Sequence, residues 1–199
     1  MRWDDLFADL EGQLAAEVAR ELDAEVADRT RREAARVRLV DRLRAAAQDA
    51  RSVVLGVRGL PTPLAGLVTA VGPDWVLVRA PGGEQLVHLP AVAWLTGLGP
   101  RAVEPGSEGS VEARFGLGPA LRTLARDRAH VRAVLTDGTA FGGTVDRVGA
   151  DHLELAEHAD DEPRRPAAVR QVRVLPFAAL AVVRPVEPGP AAADWTDQG

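Results

Sequence analysis

The strongest constraint on this chain is that part of it recurs. Residues 54–79 align without a gap on residues 131–156. Val54 meets Val131, Val57 meets Val134, Leu64 meets Phe141 and Gly66 meets Gly143; Val68, Val71, Gly72 and Asp74 meet Val145, Val148, Gly149 and Asp151. After a loop read as nine residues longer in the second copy, Leu89-Pro90 aligns on Leu175-Pro176. A stretch that repeats its glycines and apolar positions in register is one supersecondary unit used twice. Short β-branched runs broken by Gly and Pro predict strands joined by tight turns. Each copy also follows a helical segment, the second of them beginning near Pro119, a favourable first-turn position. The unit is therefore one helix and about five short strands.

Ahead of the first copy lies an arm of uneven charge. Residues 1–28 hold nine acids and two bases, and residues 29–51 hold eight Arg and three acids. Both halves are rich in Ala, Leu, Glu and Arg and read as helix. Trp3, Phe7, Leu10, Leu14, Val18, Leu22 and Val26 recur every three to four residues as one apolar stripe. Thr30 followed by Glu33 has the spacing of a capping box, so a break is expected near Asp28 to Thr30, with a second helix running to about Asp49. The segment 99–115 contains Pro100, Pro105, Gly106 and Gly109 and reads as a linker. The expected organisation is an acidic amphipathic helix (1–29), helix plus first β unit (30–98), linker (99–115), helix plus second β unit (116–184) and flexible tail (185–199).

Composition removes several classes of function. With 46% hydrophobic residues the chain has the material for a core, but it has no apolar run long enough to cross a bilayer. A formal net charge of −5 argues against a generic DNA-coating protein. No cysteine means no disulfide, no thiolate nucleophile and no Cys-ligated zinc. All 24 basic residues are Arg, and Lys, Ile, Asn and Tyr are absent. Those four types are encoded by AT-rich codons, so the Arg content partly reflects codon supply in a high-GC bacterial genome. The acidic start, Met1-Arg2-Trp3-Asp4-Asp5, lacks the basic and apolar regions of a signal peptide and leads to the expectation of a cytoplasmic protein.

The second copy reads Leu135-Thr136-Asp137-Gly138-Thr139-Ala140-Phe141-Gly142-Gly143-Thr144-Val145-Asp146-Arg147-Val148-Gly149-Ala150-Asp151. It resembles the first motif of the Sm-like family, which includes the bacterial Hfq-type RNA chaperones: Gly138, Phe141, Gly143, Val148 and Asp151 fill the motif's places. The resemblance covers about 50 residues per copy, and the first copy has Pro61 where the turn glycine stands. It implies an α+β fold in which an N-terminal helical arm precedes two tandem Sm-like small β-barrels, each following a helix. Ring assembly and RNA binding would come with that family, although the second motif's Arg-Gly pair is missing near Val172 to Leu175. The opening from Met1-Arg2-Trp3 through Leu10-Glu11 also resembles a group of uncharacterised actinobacterial proteins.

No set of acid, base and nucleophile stands out, so no enzyme and no cofactor are expected. His152 and His158 lie near Asp151, Glu154 and Glu157, but strand alternation sends neighbours to opposite faces and the spacing matches no metal-ligand pattern. The arginines carry more. Arg29, Arg32 and Arg36 share a helical face, and Arg122, Arg126 and Arg128 load the second helix, a spacing suited to phosphate contacts. Trp3, Phe7, Leu10 and Leu14 need a cover and are the partner-binding candidates. The leading expectation is a non-enzymatic regulator or adaptor that contacts RNA or DNA through Arg-rich helices. The alternative is a protein-interaction scaffold that self-associates through barrel edges and the N-terminal helix, with a homo-oligomer expected.

Overall fold

The computed structural model describes residues 3–104, 115–158 and 169–186, with 3–10 and 15 described as backbone only. The chain divides into two units, Met1–Arg38 and Leu39–Gly199.

The first unit is one helix, α1 (Trp3–Arg36), of 34 residues. The expected break at Asp28 to Thr30 does not occur. No proline interrupts the segment, and ion pairs carry it across the charge boundary: Asp28 with Arg32 at 2.5 Å and with Arg31 at 3.6 Å, then Arg29 with Glu33 at 3.0 Å. Each exposed pair is worth only about 0.3–0.5 kcal/mol, but all three span the same turn. Thr30 does not cap. Its hydroxyl donates back to the Val26 carbonyl at 2.8 Å, as a mid-helix threonine does.

The second unit begins with α2 (Leu39–Gln48), which buries Val40, Leu43, Ala45 and Ala46. Among the described residues ten strands and one more α-helix follow: β1 (Ser52–Val57), β2 (Leu64–Val71), β3 (Trp75–Ala80), β4 (Gly83–His88), β5 (Val92–Thr96), α3 (Leu117–Arg126), β6 (His130–Leu135), β7 (Ala140–Val148), β8 (His152–Glu157), β9 (Gln171–Pro176) and β10 (Leu180–Pro185). The strands form a single antiparallel sheet in the order β5-β1-β2-β3-β4-β10-β6-β7-β8-β9. Two separate closed barrels are therefore not what the chain makes. Both five-stranded runs are open, with the same internal order, and they are fused where β4 pairs with β10 (Leu86 with Val183, Val87 with Val182).

Alternate residues at that fusion face opposite sides of the sheet, and each side has its own core. Val87 and Val182 join Leu43, Val53, Leu55, Val76 and Val78 under α2. Leu86 and Val183 join Leu117, Leu121, Val131, Leu153, Leu155 and Trp75 under α3. Leu43, Leu55, Leu121, Leu153 and Leu155 have no exposed surface, and each such side chain contributes about 1.5–3 kcal/mol by leaving water.

The repeat is visible in backbone detail, but its alignment shifts. Val53 and Val131 pair with Gly66 and Gly143, so β1 matches β6 one residue away from the ungapped alignment. The Leu89 N–H donates to the Asp74 carbonyl at 2.8 Å, and the Phe177 N–H donates to the Asp151 carbonyl at 2.7 Å. Leu89 thus corresponds to Phe177, not Leu175. Two residues separate β3 from β4, whereas thirteen (158–170) separate β8 from β9.

Gly66 and Gly143 occupy equivalent sites of close backbone approach. A Cβ on Gly66 would stand 2.4 Å from the Arg79 carbonyl oxygen, and one on Gly143 would stand 2.1 Å from that of Ala156. Gly66→Ala and Gly143→Ala are each expected to cost about 1–3 kcal/mol by forcing neighbouring strands apart, measured by urea unfolding. Gly12→Ala, whose Cβ would meet nothing within 4 Å, should instead raise the helical circular-dichroism signal.

Candidate functional site

The ends of the sheet are its least satisfied parts. Within the described structure β5 pairs only with β1, and β9 only with β8, so each presents one open edge. Soluble proteins usually blunt such edges with charge, proline or a covering segment. Here β9 exposes Val172 (52%) and Val174 (60%), and β5 exposes Trp94 (49%). The Trp94 indole lies so close to Gly56 that a Cβ there would come within 2.2 Å of the ring. That contact fixes the indole at the edge.

β9 is tied to β8 by side chains as well as by its ladder. Gln171 Nε2 and Arg173 Nε both donate to Glu157 Oε2 at 2.7 Å, and the Arg173 guanidinium also lies 4.2 Å from the Phe141 ring centroid. The hydrogen bond from Gln171 holds the Glu157 carboxyl below its ordinary range, with the Arg173 hydrogen bond and the charges of Arg173 and Arg170 adding to it against an opposing effect of burial.

The arginines singled out by sequence do not gather in one place. Arg29, Arg32 and Arg36 lie in the first unit, where with Glu25 and Glu33 they line an open groove on α1. Arg29 and Arg32 are already engaged by Glu33 and Asp28. In the second unit Arg126 and Arg128 share a groove of about 530 Å³ with Ala125, Thr144, Val145, Asp146, Arg147 and Glu154, while Arg122 lies outside its lining. Arg147 was not singled out from sequence. It comes from β7, and only the fold brings it to the end of α3.

Of the apolar stripe, Leu14, Val18, Leu22 and Val26 are all exposed. The side chains of Trp3, Phe7 and Leu10 lie outside the described residues. The histidines near the acidic segment are separated. His152 Nδ1 sits 2.9 Å from Asp151 Oδ1, which lowers the Asp151 carboxyl. His158 is buried, with its Nε2 2.9 Å from Thr144 Oγ1 and its ring edge-on to His130. Among the described residues, no three acidic or histidine side chains converge as a metal site would require. None of their helices is long and apolar enough to cross a membrane.

No family model matches the chain, and neither a curated protein nor a solved structure matches it.

Glu157 gives a direct test of how β9 is held. Arg173→Ala is expected to raise the Glu157 pKa, read by carboxyl-carbon NMR titration. Because the folded value is the depressed one, the contact stabilises the protein above the unfolded carboxylate range, and that stability is lost as pH falls through the folded value. The difference in unfolding midpoint between parent and Arg173→Ala should therefore shrink on acidification.

Proposed function

We propose that the protein is a non-enzymatic scaffold that joins copies of itself edge to edge through its sheet, an adaptor built from two Sm-like units. One observation carries the reading: β4 and β10 already make, inside the chain, the kind of contact that β9 and β5 leave open at its ends. By the matched registers, Val174 and Leu175 of β9 stand where Leu86 and Val87 stand in β4. By the matched pairings with β1 and β6, Trp94 and Leu95 stand where Val182 and Val183 stand in β10. In a β9–β5 junction between copies, Leu175 would therefore oppose Trp94 and Val174 would oppose Leu95. All four are apolar, and the exposure of Val174 and Trp94 then has a purpose.

The helix and five strands of each run support the Sm-like reading, with the two units joined side by side in one open sheet. The acids interleaved with Arg29 and Arg32 favour the scaffold over a nucleic-acid-coating role, since those guanidiniums are partly neutralised on their own helix.

Light scattering after size exclusion tests this directly. The parent protein is expected to run as a multiple of the chain mass, growing with concentration. Val174→Lys, at a position exposed enough to tolerate the change, should reduce it to a single chain, because an edge lysine blocks strand pairing. A parent protein that stays a single chain at every concentration, or a variant that assembles like the parent, rules the reading out.

A further inference from the structure

We infer that the groove between the end of α3 and β7 binds a sugar phosphate, with Arg126, Arg128 and Arg147 taking the phosphate and Asp146 and Glu154 accepting hydrogen bonds from the sugar hydroxyls. The site is separate from the sheet edges and does not depend on assembly.

The first support is what the two copies do differently on the same backbone. Both helices end in a residue of left-handed conformation, Ala50 at φ 48° after α2 and Arg128 at φ 50° after α3. The turn is the same in both copies, so this position is set by the fold and the arginine is not. The strand registers extend the comparison. Val68 pairs with Val78 as Val145 pairs with Leu155, which places Ala70 at the site of Arg147 and Leu77 at that of Glu154. Counting back from the shared turn, Gln48 stands at the site of Arg126. The first copy has Gln48, Ala50, Ala70 and Leu77 at these positions, of which Ala70 and Leu77 pack against the core under α3, whereas the second has three arginines and a glutamate around an open groove. Neither the helix nor the sheet needs those charges to form.

The second support is that the three guanidiniums are loosely held. The side chains of Arg126 and Arg128 make no hydrogen bond or ion pair among the described residues, and both residues are exposed. Arg147 makes only a long ion pair with Glu154, at 3.8 Å, and its side chain is 75% exposed. Elsewhere on the surface, Arg29, Arg32, Arg79, Arg101 and Arg173 are each closed onto a carboxylate at 3.0 Å or less, while Arg31 and Arg51 sit at 3.6 and 3.5 Å from theirs. Keeping three guanidiniums around one hollow costs Coulomb repulsion, which a bound dianion reverses, and planar guanidinium forks match phosphate oxygens.

The lining selects the rest of the ligand. A volume near 530 Å³ exceeds what a bare phosphate fills and falls within the range of small-molecule sites. No aromatic side chain lines it, so nothing there stacks a base; the uncharged surface is only Ala125, Thr144 and Val145. Carboxylates accept hydrogen bonds from hydroxyls and repel a second phosphate. A polyhydroxylated group carrying one phosphate satisfies both halves.

Isothermal titration calorimetry of the full chain with ribose 5-phosphate, inorganic phosphate and an oligouridylate tests this. Ribose 5-phosphate should bind saturably and more tightly than inorganic phosphate, and Arg128→Ala or Arg147→Ala should weaken it by about tenfold or more. Arg122→Ala, outside the groove, should leave it unchanged. Binding of the oligouridylate in preference to ribose 5-phosphate would show that the carboxylates do not exclude further phosphates and would overturn the assignment. Unfolding midpoints of these exposed-site variants should match the parent. The proposal is overturned if ribose 5-phosphate does not bind, if the groove variants bind as the parent does, or if inorganic phosphate binds as tightly as the sugar phosphate.

Discussion

The pairing of β4 with β10 is the contact on which the rest of the second unit depends. Leu86 and Val87 on one strand, and Val183 and Val182 on the other, bring apolar side chains to both faces of the sheet at the same place. Each core therefore reaches across the fusion. The core under α2 includes Val134, Ala181 and Val182 from the second run, and the core under α3 includes Trp75 and Leu86 from the first. Neither run completes its own interior. This is why five strands followed by five strands give one folding unit and not two domains on a linker, with every strand at the fusion buried on both faces.

Within that shared frame the copies keep their backbone and vary their side chains. The glycines that let strands approach, Gly66 and Gly143, are retained because any Cβ there would collide with a carbonyl of the neighbouring strand. Gly72 and Gly149 each lie beneath a ring, Trp75 in one copy and His152 in the other. Trp75 is buried and donates its indole N–H to the Phe115 carbonyl at 2.8 Å. His152 is partly open and meets Asp151 instead. The first ring belongs to the interior near the fusion, and the second lies on the strand next to the open edge. The position within the sheet decides which chemistry each copy can use.

The α+β class and the short β-branched strands were legible because period-2 patterning and turn residues report local geometry. Register was less so. A slip of two residues returns every side chain to the same face, so the recurrence of Leu-Pro at 89–90 and 175–176 reads as a match although the backbone makes Phe177 the counterpart of Leu89. In β1 the run Val53-Val54-Leu55 is apolar throughout and hides its own period; only the ladder shows that Val53, not Val54, corresponds to Val131. The Thr30 capping signal failed for another reason: it describes what a threonine can do, while the surrounding Ala, Glu and Arg favour helix on both sides of it and the ion pairs from Asp28 to Glu33 add a little to that. Arg126 and Arg128 were visible as a helical cluster. Their companion Arg147 was not, because nothing in the spacing of α3 reports what β7 brings to its end.

A sheet whose two ends are different strands has a direction. One end offers β9 with its valines, the other offers β5 with Trp94, and neither can pair with its own kind in the way that β4 pairs with β10. Since the two runs are held on one chain, whatever grows by that pairing grows by pairs of units. Any closed assembly of this kind holds an even number of them, alternating between the run that carries the arginine groove and the run that does not. Around such a closure the sugar-phosphate sites would be spaced at every second unit, a periodicity set by covalent linkage and independent of how strongly the edges hold.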